Sequence, residues 1–151
     1  MRSVIQRVSR ASVRVEGDLV ASVDRGLLLL LGVGQEDNQG DVEWLATKVS
    51  RLRIWEDEEG LMNRSLADVG GSVLVVSQFT LWGNLKKGSR PSYNRAASPE
   101  PARVLYEAFV LRLSAIMEKP VPSGRFGQHM DVELLNDGPV TLILDSRERA
   151  F

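Results

Sequence analysis

The chain has no cysteine and one histidine, His129. The first absence removes disulfides, thiolate nucleophiles and zinc–thiolate clusters, and a single imidazole makes a histidine-built zinc site improbable. No apolar run approaches the roughly 20 residues needed to span a bilayer. The longest, "LLLLLGV" at residues 27–33, is far too short, and the basic Arg2 and Arg7 flank no signal-peptide-like stretch. A cytoplasmic protein without a membrane partner is expected. Neither sign of charge is in excess: 19 basic residues face 20 acidic ones, for a net charge of −1. That balance argues against strong general attraction to nucleic acid. Also missing are a G-x-x-x-x-G-K-[ST] phosphate loop, a G-x-G-x-x-G turn after a strand, and a G-x-S-x-G nucleophile elbow. The residues call for no cofactor and no metal. Acids are numerous, but no pair stands out by spacing as a catalytic dyad; Asp131 and Glu133 share one strand face and read as solvated. His129 reads as a structural or surface residue. An enzyme with this composition has little acid–base chemistry in its own side chains.

What is present is a hydrophobic fraction of 43% in 151 residues, enough for one globular domain. Residues 3–15 alternate valine with polar residues and predict a strand; "EGD" at 16–18 is a turn, and 19–23 a returning strand. The leucine run predicts a strand buried on both faces. Asp41 is placed as the cap of a helix with Val42, Leu45, Ala46 and Val49 at helical spacing. "LRIW" is a short strand, ended by the acidic turn "EDEE" and Gly60, and "GGSVLVVSQFTL" at 70–81 is a strongly apolar strand. Residues 83–98 predict a loop. Ser98-Pro99 opens a second helix, whose apolar face holds Ala102, Leu105, Tyr106, Phe109, Leu113 and Ile116 and which Pro120 and Pro122 end. Two strands then flank Gly138-Pro139, and the polar tail is expected to lie loosely at the surface. The fold class is an α/β or α+β single domain with two helices against a mixed sheet.

Three stretches invite a functional reading. Residues 83–98 contain Lys86, Lys87, Arg90 and Arg95 with no acid, and the first fourteen residues hold Arg2, Arg7, Arg10 and Arg14 before any acid. Such clusters are ordinary solvated surface or a local phosphate-binding face. "SQFT", Ser77, Gln78, Phe79 and Thr80, ends a buried strand and offers hydroxyls and backbone N–H groups. It is either a strand end meeting solvent or an oxyanion pocket. "NDGPVT" at 136–141 interrupts two strand-like segments with Gly138-Pro139, either a hairpin turn or a place where another backbone comes close.

"SQFTL" and "NDGPVT" together resemble the signature pair of the D-aminoacyl-tRNA deacylases. The likeness extends in order through "IQRVSRASVRVEG", "LLLLLGV", "EGLMN", "GGSVLVVSQFTL", "KGSRPSYNRAASP" and "GRFGQHMDVELLNDGPVT". It implies a deacylase domain over residues 1–145, with 146–151 a polar C-terminal tail. It implies a homodimer of β/β/α-layered subunits that hydrolyses the ester joining a D-amino acid, or glycine, to tRNA and rejects the L-ester. It further implies a cis bond at Gly138-Pro139, reaching from one subunit into the active site of the other as a chirality gate. Carried over by motif, Ser77, Gln78, Phe79 and Thr80 form the catalytic segment. Arg7 braces the gate loop, and Lys86, Lys87 and Arg90 meet tRNA phosphates. The terminal ribose hydroxyl is expected to assist hydrolysis, ahead of a Thr80 nucleophile. A non-catalytic RNA-binding module is the alternative, and a structural α/β dimer with Gly-Pro as a mere hairpin a third reading.

Overall fold

The alternation of residues 3–15 does produce a strand, and it becomes the organising element of the sheet. In a computed structural model, which describes residues 1–149, β1 (Arg2–Val15) is followed by β2 (Asp18–Val23), β3 (Gly26–Gly32) and α1 (Gln39–Ser50). After these come β4 (Arg53–Glu56), β5 (Met62–Ser65), β6 (Ser72–Ser77), a 3-10 turn (Phe79–Trp82), α2 (Pro99–Met117) and β7 (Asp131–Asp145). One edge of β1 pairs antiparallel with β2 and β3 in turn, the other with β7 along nearly its whole length. β3 and β6 run parallel, so the sheet is mixed. β4 and β5 form a separate ribbon.

The leucine run is buried on both faces, as its composition predicts. Leu27, Leu29 and Leu31 join Val73 and Val75 in the core under the helices, with Leu45, Val49, Phe109 and Leu113. Leu28, Leu74 and Val76 point the other way and pack on Val8, Val13 and Val23, where the sheet curls over. The two cores therefore lie on opposite faces of β3 and β6, one under the two helices and one inside the curl of the mixed sheet. No described helix is long and apolar enough to cross a membrane.

Four expectations are corrected. The cap of α1 is Asn38, whose side chain accepts from the Gly40 N–H at 2.8 Å, while Asp41 is the return arm, accepting from the Asn38 N–H at 2.9 Å. Burial works to raise the Asp41 pKa, but the Ser146 hydroxyl, the Asn38 N–H, the α-ammonium and Arg149 outweigh it and hold the carboxyl below its ordinary value. The strand expected over 70–81 ends at Ser77. β7 is one strand rather than two, because both flanks of Gly138-Pro139 pair with β1 in the same direction. The tail is not loose over its described part: Ser146 is buried against the Met1 ammonium, and Arg147 bridges Glu36 at 2.8 Å and Asp37 at 3.1 Å. Those partners are about 110 residues away in the chain, beyond the reach of local pattern. Residues 150 and 151 lie outside the described part.

Candidate active site

Because β3 and β6 are parallel, both deliver their C-terminal ends to one edge of the sheet, where open α/β sheets commonly bind ligands. A cavity of about 770 Å³ opens there. Its floor includes Leu31, Ser77 and Gln78; Phe79 and Tyr93 form one side, and the start of α2 with residues 126–130 closes the rest. A volume of that size suits a nucleoside-sized ligand with a substituent.

The "SQFT" segment changes direction at this edge. The Gln78 N–H is bound to the Leu31 carbonyl at 2.8 Å, which ends the strand pairing, and the chain then winds into the 3-10 turn. Trp82 fixes that turn from below. It is buried against Gly32 and Gly34, and a Cβ at Gly34 would stand 2.5 Å from the indole ring. The Arg2 guanidinium lies 4.1 Å above the same ring and is ion-paired to Asp145 at 2.7 Å. The Phe79 and Thr80 N–H groups head the turn and have no acceptor among the described residues, as expected for the first donors of a helical turn. The oxyanion reading therefore narrows to these two; the Gln78 N–H is already committed. The Gln78 side-chain amide donates to the Thr80 hydroxyl. No imidazole or carboxylate hydrogen-bonds Thr80 among the described residues.

Ser77, Gln78 and Phe79 line the cavity, whereas Thr80 stands beside it. Phe79 is 58% exposed and meets Tyr93 edge-on, with ring centroids 5.0 Å apart. That contact ties the basic loop to the cavity mouth. Lys86, Lys87 and Arg90 are all exposed on this loop, and none has a carboxylate partner within ion-pair distance among the described residues. Sequence reasoning did not assign Tyr93, Tyr106, Phe126 or Met130 to the site. Tyr106 was read as core, and it serves both roles. Its hydroxyl donates to the Val75 carbonyl at 3.0 Å, and burial raises its pKa to about 12, so it stays neutral and walls the cavity. The two glycines of "GRFG" signal a turn, but which cavity that turn walls depends on distant packing. His129 precedes β7 instead of lying within a strand. It is exposed at the rim, 3.5 Å from Asp131.

Gly138 and Pro139, joined by a cis peptide bond, sit elsewhere. They are exposed at the crest of a bulge in β7 and do not line the cavity of their own chain. Arg7, 7% exposed, reaches the bulge with Nε 2.9 Å from the Asp137 carboxylate and 3.2 Å from the Asp137 carbonyl, while its Nη1 donates to the Ile54 carbonyl. Gly138 is not among the residues with positive φ. A Cβ added to it would meet only the Asn136 Oδ1, at an ordinary 3.6 Å. Nothing in the packing of the described residues requires glycine there.

Comparison with known proteins gives a consistent answer. The family model described as D-Tyr-tRNA(Tyr) deacylase matches residues 4–145. A protein of Chloroherpeton thalassium named D-aminoacyl-tRNA deacylase is 55% identical over 146 residues, covering 97% of this chain and 96% of its own. One of Thermomicrobium roseum with the same name is 58% identical over 148 residues, covering 98% and 96%. Among solved structures, a c-Myc DNA unwinding element binding protein superposes with a TM-score of 0.89 at 39% identity, covering 96% of this chain and 98% of that one. A probable eukaryotic D-amino acid tRNA deacylase, at a TM-score of 0.81 and 16% identity over 95% of this chain and 97% of its own, shares the fold. The likeness first carried by "SQFTL" and "NDGPVT" thus extends over nearly the whole chain, which belongs to the D-Tyr-tRNA(Tyr) deacylase family.

Proposed function

We propose that the chain hydrolyses the ester between a D-amino acid, or glycine, and the terminal ribose of tRNA. In this reading it works in the cytoplasm as a homodimer, with Gly138-Pro139 of one subunit facing the cavity of the other. The observation that carries the gate reading is the glycine that its own fold does not need. Gly138 is exposed, lies outside its own cavity, and has room for a methyl group. Nothing among the described residues fills that space, and in this reading it belongs to the substrate held in the other subunit's cavity.

Exclusion is the right physics for reading handedness. The two mirror forms of a side chain offer nearly equal apolar contact, so attraction separates them poorly. A backbone wall placed where the L side chain must go separates them well. Glycine has no side chain to exclude and passes. In this reading the Phe79 and Thr80 N–H groups, which have no acceptor among the described residues, receive the carbonyl oxygen, which becomes an oxyanion when water adds to the carbonyl carbon. When the ester C–O bond breaks, the ribose oxygen takes a proton and the carboxylic acid leaves. With no general base beside Thr80 among the described residues, we assign assistance to the neighbouring ribose hydroxyl, which the substrate itself brings within reach. Phe79 seats the terminal adenosine, Arg7 braces the gate, and Lys86, Lys87 and Arg90 meet backbone phosphates.

The test is to time amino-acid release from D-tyrosyl- and L-tyrosyl-tRNA with equal enzyme, for the natural chain and for Gly138→Ala. The natural chain should cleave the D-ester and spare the L-ester. Gly138→Ala should keep its thermal stability and lose D-ester cleavage by about a hundredfold, the cost of placing a methyl group where substrate atoms must pass. That loss corresponds to ~2.7 kcal/mol. Comparable natural rates on the two esters would defeat the gate, and tRNA binding with no release would favour the non-catalytic RNA-binding module.

A further inference from the structure

The β1–β7 ladder shifts register at two places, at Ser9 and, more widely, at Arg7. Val8 pairs with Asn136 and Gln6 with Thr141, so the single β1 residue Arg7 stands opposite residues 137–140. A bulge of that size leaves ladder groups unpartnered and free to splay. Asn136 supplies the missing rungs. Its side-chain amide donates one hydrogen bond to the Arg7 carbonyl at 2.9 Å and a second to the Val140 carbonyl at 3.2 Å, closing the base of the bulge. Both amide hydrogens are used, and the amide oxygen faces Gly138. Arg7 is thereby held twice, its carbonyl by Asn136 and its guanidinium by Asp137 and the Ile54 carbonyl.

We propose that Asn136 is a specificity-positioning residue: its amide fixes the direction in which the Gly138-Pro139 backbone projects, and so sets how strictly L-esters are refused. This rests on the gate reading above and adds the residue that aims the gate. Asn136 does not touch substrate in this account; it acts through the bulge. The geometry singles out an amide. Two carbonyls converge on one nitrogen, so a carboxylate of the same shape would meet both with lone pairs and bind neither. The bulge is mostly exposed and touches the core only through Val140 at its far leg, so loosening it leaves the other core residues packed.

The experiment compares Asn136→Asp and Asn136→Ala with the natural chain and Gly138→Ala. Rates of release from D-tyrosyl- and L-tyrosyl-tRNA are measured, alongside thermal unfolding. Asn136→Asp keeps the shape and removes both donors, while Asn136→Ala removes the amide without a new charge and covers the case in which the aspartate variant does not fold. The expected result is a normally folded protein whose D-over-L rate ratio falls about five- to tenfold, as the loss of one or two positioning hydrogen bonds implies. A merely structural role lowers the active fraction and scales both rates together, leaving the ratio unmoved. An unmoved ratio in both Asn136 variants, with Gly138→Ala still altering D-ester cleavage, overturns the positioning role and leaves the gate standing. If Gly138→Ala too changes nothing, the gate falls and this proposal falls with it.

Discussion

Thr80 has a hydroxyl where a nucleophile would be sought, yet the group that reaches it is the Gln78 amide, which donates and cannot take a proton. A serine or threonine nucleophile needs an adjacent base. We therefore expect Thr80→Ala to slow D-tyrosyl-tRNA cleavage only about fivefold, the usual worth of one hydrogen bond. A substrate whose terminal adenosine lacks the neighbouring hydroxyl should bind normally and be cleaved about a hundredfold more slowly, the range of a lost acid–base partner. Single-turnover rates on both would decide. Full loss in Thr80→Ala with normal cleavage of the deoxy substrate would make Thr80 the nucleophile. At this scale the sequence was informative about types and poor about partners. Arg7 entered as the brace of the gate loop through the family resemblance, and its ties in the structure are the Asp137 carboxylate and the Ile54 carbonyl. The sequence also singled out Gly138, but the absence of any internal need for that glycine is visible only once a Cβ can be built there.

Elements with strong periodicity were legible, and those without it were not. The leucine run, β6 and the two helices follow from burial pattern. β5, "MNRS", has no apolar alternation and exists because β4 and the acidic turn present it a partner. The end of β6 was misplaced because "SQFTL" is as strand-like in composition as "SVLVV". What stops the strand is Trp82 packing onto Gly32 and Gly34, a contact between residues some fifty positions apart. The loop at 83–98 was recognised by its glycines and charges, and its bearing on the cavity comes from the contact of Tyr93 with Phe79. Each lysine that neutralises a phosphate releases counterions, with a log–log salt slope of about 0.7 to 0.9 per contact. Lys86→Ala with Lys87→Ala should therefore flatten the salt dependence of tRNA binding by about 1.4 to 1.8. The D-over-L ratio should stay fixed, because phosphate contacts position the tRNA and do not read the handedness of the amino acid. An unchanged slope, measured by filter binding across a salt series, would make the loop ordinary solvated surface.

For the whole molecule, the separation of bulge and cavity is the governing fact. Gly138 and Pro139 do not line the cavity that holds Gln78 and Phe79 in the same chain. β7, which carries them, is an edge strand that among the described residues pairs only with β1. It also leaves Leu135 48% and Ile143 57% exposed on either side of the bulge. Natural edge strands are usually blunted by charge or covered, and we expect a second copy to cover the apolar part of this one. In a two-fold dimer each bulge would meet the other subunit's cavity, giving two equivalent sites. Sedimentation at working concentration should find a dimer, and a fully active monomer would end the cross-subunit arrangement. Complementation is sharper. Gly138→Ala spoils the gate and spares the cavity. Ser98→Trp fills the cavity mouth and spares the gate, and it disturbs α2 little because the Ser98 side chain makes no cap hydrogen bond. Each homodimer should be inactive. Co-expressed chains assort so that about half the dimers are mixed, and each mixed dimer rebuilds one intact site from the two subunits. D-tyrosyl-tRNA cleavage should then return to about a quarter of the natural level. If gate and cavity act within one chain, neither subunit of a mixed dimer has both, and co-expression restores nothing.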